Sequence, residues 1–276
     1  MARPLRIVVP GGLHHLIARG NAKAKIFLDE FDFAAFLELA TTTVERFGWI
    51  CHAYCVLDNH YHLLVETPRP NLPLGMRHLN GVFAQRFNRR YDQCGHVFEA
   101  RYRSIFVEKE GHLLSVARYI VLNPLRAGIC DHPGDYRWSS YSATAGTGEA
   151  APVLTTDWIL ARFGDIRAAA CARYAAYVAE GIGEALEIRG ERIGSEAFLR
   201  ARFGREPLAE IPRAQFRPLR PPLAEVFGRA KLPIASAYRE HDYRLREIAD
   251  YLGCHYSTVS RRLADEERAL DRQRKT

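Results

Sequence analysis

The alternation of apolar and polar positions divides the chain into elements before any single residue suggests chemistry. Residues 5–9 (LRIVV) and 13–18 (LHHLIA) are short apolar runs broken by Pro10, Gly11 and Gly12 and closed by Arg19-Gly20-Asn21, which predicts a strand entering a sheet. From Asp29, the positions Phe33, Phe36, Leu37, Ala40, Val44 and Phe47 follow helical spacing, with Asp29 placed to cap the helix and Gly48 to end it. Residues 49–57 (WICHAYCVL) and 60–66 (HYHLLVE) are aromatic and β-branched runs flanking Asp58-Asn59, the signature of an antiparallel hairpin. A second helix is predicted from Asn71, with Pro73 in its first turn, to about Arg90. Strand-like composition returns over 96–108, and a third helix over 111–123 is stopped by Pro124.

The order β-α-β-β-α-β-α predicts an α+β fold, one antiparallel sheet with flanking helices. After YRWSSYSA (136–143) the composition shifts to the small residues TAGTGEAAP (144–152), which sets a first domain at 1–145. Residues 153–205 are Ala- and Arg-rich with helical spacing, and prolines 207, 212, 218, 221 and 222 suggest a stiff connector. Residues 146–235 are therefore expected to form a helical accessory region with a Pro-rich connector, and 236–276 a separate helical module.

Composition narrows the function classes. The chain has 276 residues, 47% hydrophobic and 26% charged, an ordinary globular balance that excludes collagen-like or wholly disordered character. No run approaches the roughly 20 apolar residues of a membrane span, and MARPLRIVVPGG lacks the apolar stretch of a signal peptide. A soluble cytoplasmic, nucleoid-associated protein with no membrane partner is expected. Cysteines 51, 55, 94, 130, 171 and 254 form no CxxC pair and are expected to be reduced thiols. The net charge is +7, and between Arg69 and Arg126 ten basic side chains face four acidic ones, which points to a polyanionic partner.

His60 and His62 are two apart on a predicted strand and so share a face, which makes half of a metal site. Two satisfied strand histidines are the ordinary alternative. Tyr119 and Asn123 lie at i, i+4 on the third helix. If that face covers the strand, Asn123 could add an oxygen ligand and Tyr119 a nucleophilic oxygen. A phenol is a weak nucleophile at neutral pH, so it needs a base or a metal-polarised electrophile; these parts suit phosphodiester chemistry. Of the adjacent His14 and His15 at most one can point at such a site, and both are expected to be structural. Cys51 and Cys55 are expected to share a strand face as buried thiols, since their spacing matches no common zinc pattern.

The ordered motifs LHHLIARGN, NHYHLL, GHVFEARYRS, RYIVLNPLRAG and YRWSSY, spread over residues 4–143, closely resemble the single-tyrosine HUH transposases (IS200-like), specifically their REP-associated tyrosine transposase branch. The resemblance implies the HUH nuclease fold, a ferredoxin-like or RRM-like sheet. It implies that His60 and His62 hold a divalent ion (Mg2+ or Mn2+), with Tyr61 at the hydrophobic position and Asn123 as third ligand. It implies that Tyr119 attacks a phosphate of single-stranded, hairpin-containing DNA to give a 5′-phosphotyrosine link and a free 3′-hydroxyl that later rejoins strands. Asp58 departs from the proline frequent in relatives, which alters the turn and removes no ligand. Domesticated relatives exist, so catalytic residues do not establish mobility. A sequence-specific DNA-binding regulator that kept the fold and lost cleavage is the alternative; a replication-initiation nickase would use the same chemistry.

On the second helix, Arg77, Gln85, Arg86, Arg89 and Arg90, interleaved with Asn80 and Asn88, lack acidic partners at i, i+4 and are expected to contact DNA, with Arg101 and Arg103 extending the surface. Near the end, LREIADYLGCHYSTVSRRL (245–263) places Ala249, Gly253 and Val259 as a helix-turn-helix requires, with Ser257 as cap. Ser257, Thr258, Ser260, Arg261 and Arg262 would then face duplex DNA; a hairpin used for packing or dimerisation is the alternative. The protein is expected to act as a monomer or homodimer.

Overall fold

Asp29 caps the first long helix, its carboxylate accepting from Asp32 N at 3.1 Å, and Gly48 ends that helix in the left-handed region at φ +64. The computed structural model describes residues 8–183, 192–193, 222–239, 243 and 245–273. In order, β1 (Gly12–Arg19), α1 (Glu30–Phe47), β2 (Ile50–Leu57), β3 (His60–Thr67), α2 (Leu72–Arg90), β4 (Arg103–Val107) and α3 (Lys109–Val121) reproduce the predicted succession. Residues 96–102 do not extend β4; Val97 and Tyr102 are buried anchors in an irregular approach, tied to Gly20 by a single bridge at Phe98. The apolar run there reflects anchoring instead of pairing.

The sheet order is β2-β3-β1-β4-β5, antiparallel except for the two-residue edge strand β5 (Arg192–Ile193), which pairs parallel with β4. Strand alternation gives the sheet two buried faces. Leu16, Ala18, Tyr61, Leu63 and Val65 pack with α1 and α2, whereas Leu13, Leu64 and Val107 pack with α3. A bulge between Cys51 and Ala53 switches the alternation of β2, so Cys51 joins the first core and Cys55 the second. The two thiols therefore do not share a face as expected; all six cysteines are free.

Asn123 lies beyond α3, opening the short helix α4 (Asn123–Arg126) that restarts at Pro124. The segment 136–143 covers the edge of β2: Val56 N donates to Trp138 O, Ser140 N to Tyr54 O and the Tyr136 hydroxyl to Val56 O. Beyond it, α5 (Tyr141–Ala145), α6 (Asp157–Leu160) and α7 (Arg167–Glu180) place Tyr141, Ile159, Ala170, Tyr174 and Val178 in the same core as α3. The break expected after residue 145 thus falls inside the first of two compact units, Met1–Ala209 and Glu210–Thr276. Most of the predicted connector, prolines 207, 212, 218 and 221, lies outside the described residues, as do residues 5–7 of the first apolar run and the accessory stretches 184–191 and 194–205.

Gly75 shows how tightly α2 meets the sheet end. A Cβ at this position would run into the Trp49 ring, which is itself fixed by its Nε1–H donating to Asn71 Oδ1 at 2.8 Å. Alanine ordinarily favours a helix interior over glycine by about 1 kcal/mol, yet overpacking against a fixed ring costs about 1–3 kcal/mol. Gly75→Ala is expected to lower stability on balance, read as a reduced urea midpoint with an altered Trp fluorescence baseline.

The second unit contains α8 (Leu223–Arg229), α9 (Pro233–Arg239), α10 (Leu245–Leu252) and α11 (Tyr256–Gln273). Val226, Ile234, Ala235, Ala237, Ile248, Ala249, Val259 and Leu263 form its core, so the module begins earlier than residue 236. Gly253 makes the turn between α10 and α11 at φ +63. The cap of α11 is His255 instead of Ser257: its Nδ1 accepts from Ser257 N and meets the Ser257 hydroxyl at 2.8 Å. No helix among the described residues is long and apolar enough to cross a membrane.

Candidate active site

The register of β1 on β3 pairs His15 with Leu64, Ile17 with His62 and Arg19 with His60, so His15, Arg19, His60 and His62 share the face covered by α3. His14, one residue away, turns to the other face, where it meets Phe106 edge-on and lies 3.2 Å from the Ser104 hydroxyl. The two adjacent histidines do face opposite ways, and His15 is the one on the face of His60 and His62. Its Nε2 lies 2.9 Å from His62 Nδ1, with the rings stacked at 5.1 Å, and the His60 and His62 rings meet edge-on at 5.0 Å.

Hydrogen bonds determine which ring nitrogens remain available. Asn59 Nδ2 donates to Lys23 O, which turns Asn59 Oδ1 toward His60 Nδ1 at 2.6 Å. An amide oxygen only accepts, so His60 Nδ1 carries the hydrogen and Nε2 keeps its lone pair. His62 Nε2 is buried with no hydrogen-bond partner, an unusual state for a polar atom. Burial holds the His60 imidazole down to about 4, with the nearby Arg19 charge acting the same way. Burial also pushes His15 down to about 3 and His62 well below the usual range, with neighbouring imidazoles and arginines adding to the effect on His62. All three rings are neutral at pH 7, the state in which imidazole ligates a cation.

Tyr119, near the end of α3, brings its ring to 5.9 Å from His15 and 6.1 Å from His62. The Arg126 guanidinium lies 4.6 Å from the centre of the Tyr119 ring and donates to the Tyr119 carbonyl at 3.0 Å. The Asn123 amide donates to the carbonyls of Tyr119 and Ile120, so its NH2 is committed to the helix end and Oδ1 is its remaining acceptor. Arg19 is half-buried, and its Nε has no hydrogen-bond partner. Among the described residues no group of three His, Cys, Asp or Glu is placed to hold a metal ion. A cation held by His60 and His62 would therefore need oxygen ligands beside the two ring nitrogens, and an amide oxygen such as Asn123 Oδ1 has the right chemistry.

Arg103 lies on the same sheet face, paired with Ile17, and its charge bears on His15. The α2 residues fall elsewhere. Arg77, Gln85, Arg86 and Arg89 are exposed on a helix whose buried side packs on the first core, so they belong to the layer opposite the imidazoles. Arg90 does have acidic partners, supplied by α1: it pairs with Asp29 and Asp32, both at 2.6 Å, and lies over Phe31. Neighbours along one helix could not reveal these cross-helix pairs. A cavity of about 510 Å3 lined by Phe31, Phe83, Phe87, Arg86 and Arg89 also sits in this layer, away from Tyr119. Arg101 is exposed ahead of β4. In the second unit Ser260, Arg261 and Arg262 are exposed and Ser257 and Thr258 half-buried, while Val259 and Leu263 turn inward.

Sequence reasoning missed His15, Arg19 and Arg126 as neighbours of the catalytic candidates. Strand parity puts His15 and Arg19 on one face, but only the β1–β3 register brings that face to His60 and His62.

The chain thus presents an antiparallel sheet bearing paired imidazoles under a helix tyrosine. Residues 9–123 match the family described as "Transposase IS200 like". Two solved structures are similar to part of the chain. One is a REP-associated tyrosine transposase bound to a REP hairpin, with TM-score 0.46, 16% identity, and coverage of 57% of this chain and 93% of that chain. The other is a putative transposase from Deinococcus radiodurans R1, with TM-score 0.31, 19% identity, and coverage of 44% and 94%. No curated protein matches the chain.

Proposed function

We propose that this protein is a single-tyrosine strand transferase that cleaves and rejoins single-stranded, hairpin-containing DNA of the REP type through a 5′-phosphotyrosine intermediate. The observation that carries this reading is the Tyr119 ring packed against the His15–His62 pair beneath the Arg126 guanidinium. The Tyr119 oxygen attacks the phosphorus, the bond to the 3′ oxygen breaks, and the phenolic proton passes to solvent as the leaving 3′ oxygen takes one up. Reversal by a 3′-hydroxyl rejoins strands. Arg19 and Arg126, with Arg103 behind them, supply fixed positive charge where the phosphate gains charge in the transition state. His60 Nε2, His62 Nε2 and Asn123 Oδ1 would hold a divalent ion, Mg2+ or Mn2+, which supplies Lewis-acid polarisation of the phosphate.

The REP-type substrate is supported by the ordered sequence motifs, above all GHVFEARYRS and RYIVLNPLRAG. Arg77, Gln85, Arg86, Arg89 and Arg101 are exposed and suited to the DNA flanking the site; Arg90 is occupied by Asp29 and Asp32. For the second unit we propose duplex DNA contact through Ser260, Arg261 and Arg262 on α11, flanked by Ser257 and Thr258.

Incubation with hairpin-containing oligonucleotides from around its own gene and Mg2+ or Mn2+ is expected to give a covalent adduct on a denaturing gel. Tight binding without an adduct under both ions would favour a regulator. Arg19→Ala is expected to slow adduct formation by about 100-fold under single-turnover conditions, with Arg19→Lys intermediate. An unchanged rate would remove Arg19 from the phosphate site.

A further inference from the structure

His15 is fully buried at 0% exposure, and its Nε2 lies 2.9 Å from the Nδ1 of a proposed metal ligand. Two neutral imidazoles 2.9 Å apart share one hydrogen, in either of two arrangements. If His15 donates from Nε2, His62 accepts at Nδ1 and must carry its own hydrogen on Nε2, where it cannot ligate. If His62 donates from Nδ1, its Nε2 holds a lone pair and His15 keeps its own hydrogen on Nδ1; both atoms are buried without a hydrogen-bond partner in either arrangement, and only this one lets a cation satisfy His62 Nε2. We propose that His15 is a positioning residue, the hydrogen-bond acceptor that holds His62 in the Nδ1-protonated form with Nε2 open to the divalent cation.

Three observations converge on this. Ligating histidines almost always donate their second ring N–H to an outer partner, and His60 already does so to Asn59. The described hydrogen bonds of His62 Nδ1 go to His15 alone. The two ring planes lie 27° apart with centroids at 5.1 Å, near enough to coplanar for an in-plane N–H to meet an in-plane lone pair. The inference rests on the divalent-ion reading of His60 and His62, and its test separates the two.

Binding of Mn2+ is followed by the loss of the free-ion electron paramagnetic resonance signal in the full-length wild-type protein and in His15→Phe, His15→Gln and His62→Ala. Phenylalanine keeps the ring and loses the acceptor, whereas glutamine places an amide oxygen about where histidine Nε2 sits. His15→Phe is expected to weaken Mn2+ binding by about 10- to 100-fold and His15→Gln to recover most of it. Unaltered affinity in His15→Phe, with binding lost in His62→Ala, would overturn the role of His15 alone. Equal binding by wild type and His62→Ala would instead overturn the metal reading beneath it. Should a His15 variant fail to fold, long-range proton–nitrogen correlation spectra of 15N-histidine-labelled wild-type protein with Mg2+ decide the question. Protonation of His62 on Nδ1 is expected; protonation on Nε2 would refute the proposal.

Discussion

Tyr119→Phe is expected to abolish the covalent DNA adduct, by at least about 1,000-fold in single-turnover rate, while leaving hairpin binding and fold intact. The expectation follows from the substitution and from the lack of a substitute. Removing one hydroxyl keeps the ring contacts with His15 and His62, and no described hydrogen bond uses that hydroxyl, so the fold loses little. Tyr61 lies between the two histidines in sequence but faces the other layer. Its hydroxyl donates to Asn80, and burial drives its ionisation upward. A Tyr119→Phe protein that still forms adduct at a comparable rate would place the nucleophile elsewhere.

Loss of either histidine of the pair is the second large effect. His60→Ala is expected to weaken Mn2+ binding by more than about 100-fold and to suppress adduct formation to match, because one of two nitrogen ligands is gone. His62→Ala should do the same at a greater cost in stability. His62 is 4% exposed and bonded to His15, so its removal opens a cavity and strands a buried ring nitrogen, together worth about 2–4 kcal/mol. His60 is only half-buried, and its loss should cost less than about 1 kcal/mol. Calorimetric titration with Mn2+ alongside urea melts separates ligation from folding. Full Mn2+ affinity in a folded His60→Ala protein would remove that residue from the ion site.

Much of this site could be read from the chain because its parts obey short-range rules. The turn at Asp58-Asn59, period two through His60 and His62, the cap at Asp29 and the stop at Pro124 are local signals, and each element formed within a few residues of its expected position. What escaped depended on register and on distant neighbours. His15 and Arg19 acquire meaning only when β1 lies antiparallel on β3, and Asp29 and Asp32 occupy Arg90 only because α1 packs beside α2. The bulge at Cys51/Ala53 broke the parity that would have put Cys51 and Cys55 together. Asn123 fell two residues past the helix it was assigned to, where its amide caps the carbonyls of Tyr119 and Ile120. The extent of the first unit beyond residue 145 followed from burial of Tyr174 and Val178 against α3, a long-range contact with no local mark.

On this mechanism Tyr119 forms a phosphodiester bond to the 5′ side of a cleaved single strand. Trapping the adduct on a hairpin oligonucleotide, digesting it with protease and nuclease, and sequencing the modified peptide by tandem mass spectrometry tests this directly. A single nucleotide 5′-phosphate is expected on the peptide containing Tyr119, with the released fragment ending in a 3′-hydroxyl. A nucleotide on any other residue, or a released fragment ending in a 3′-phosphate, would contradict it.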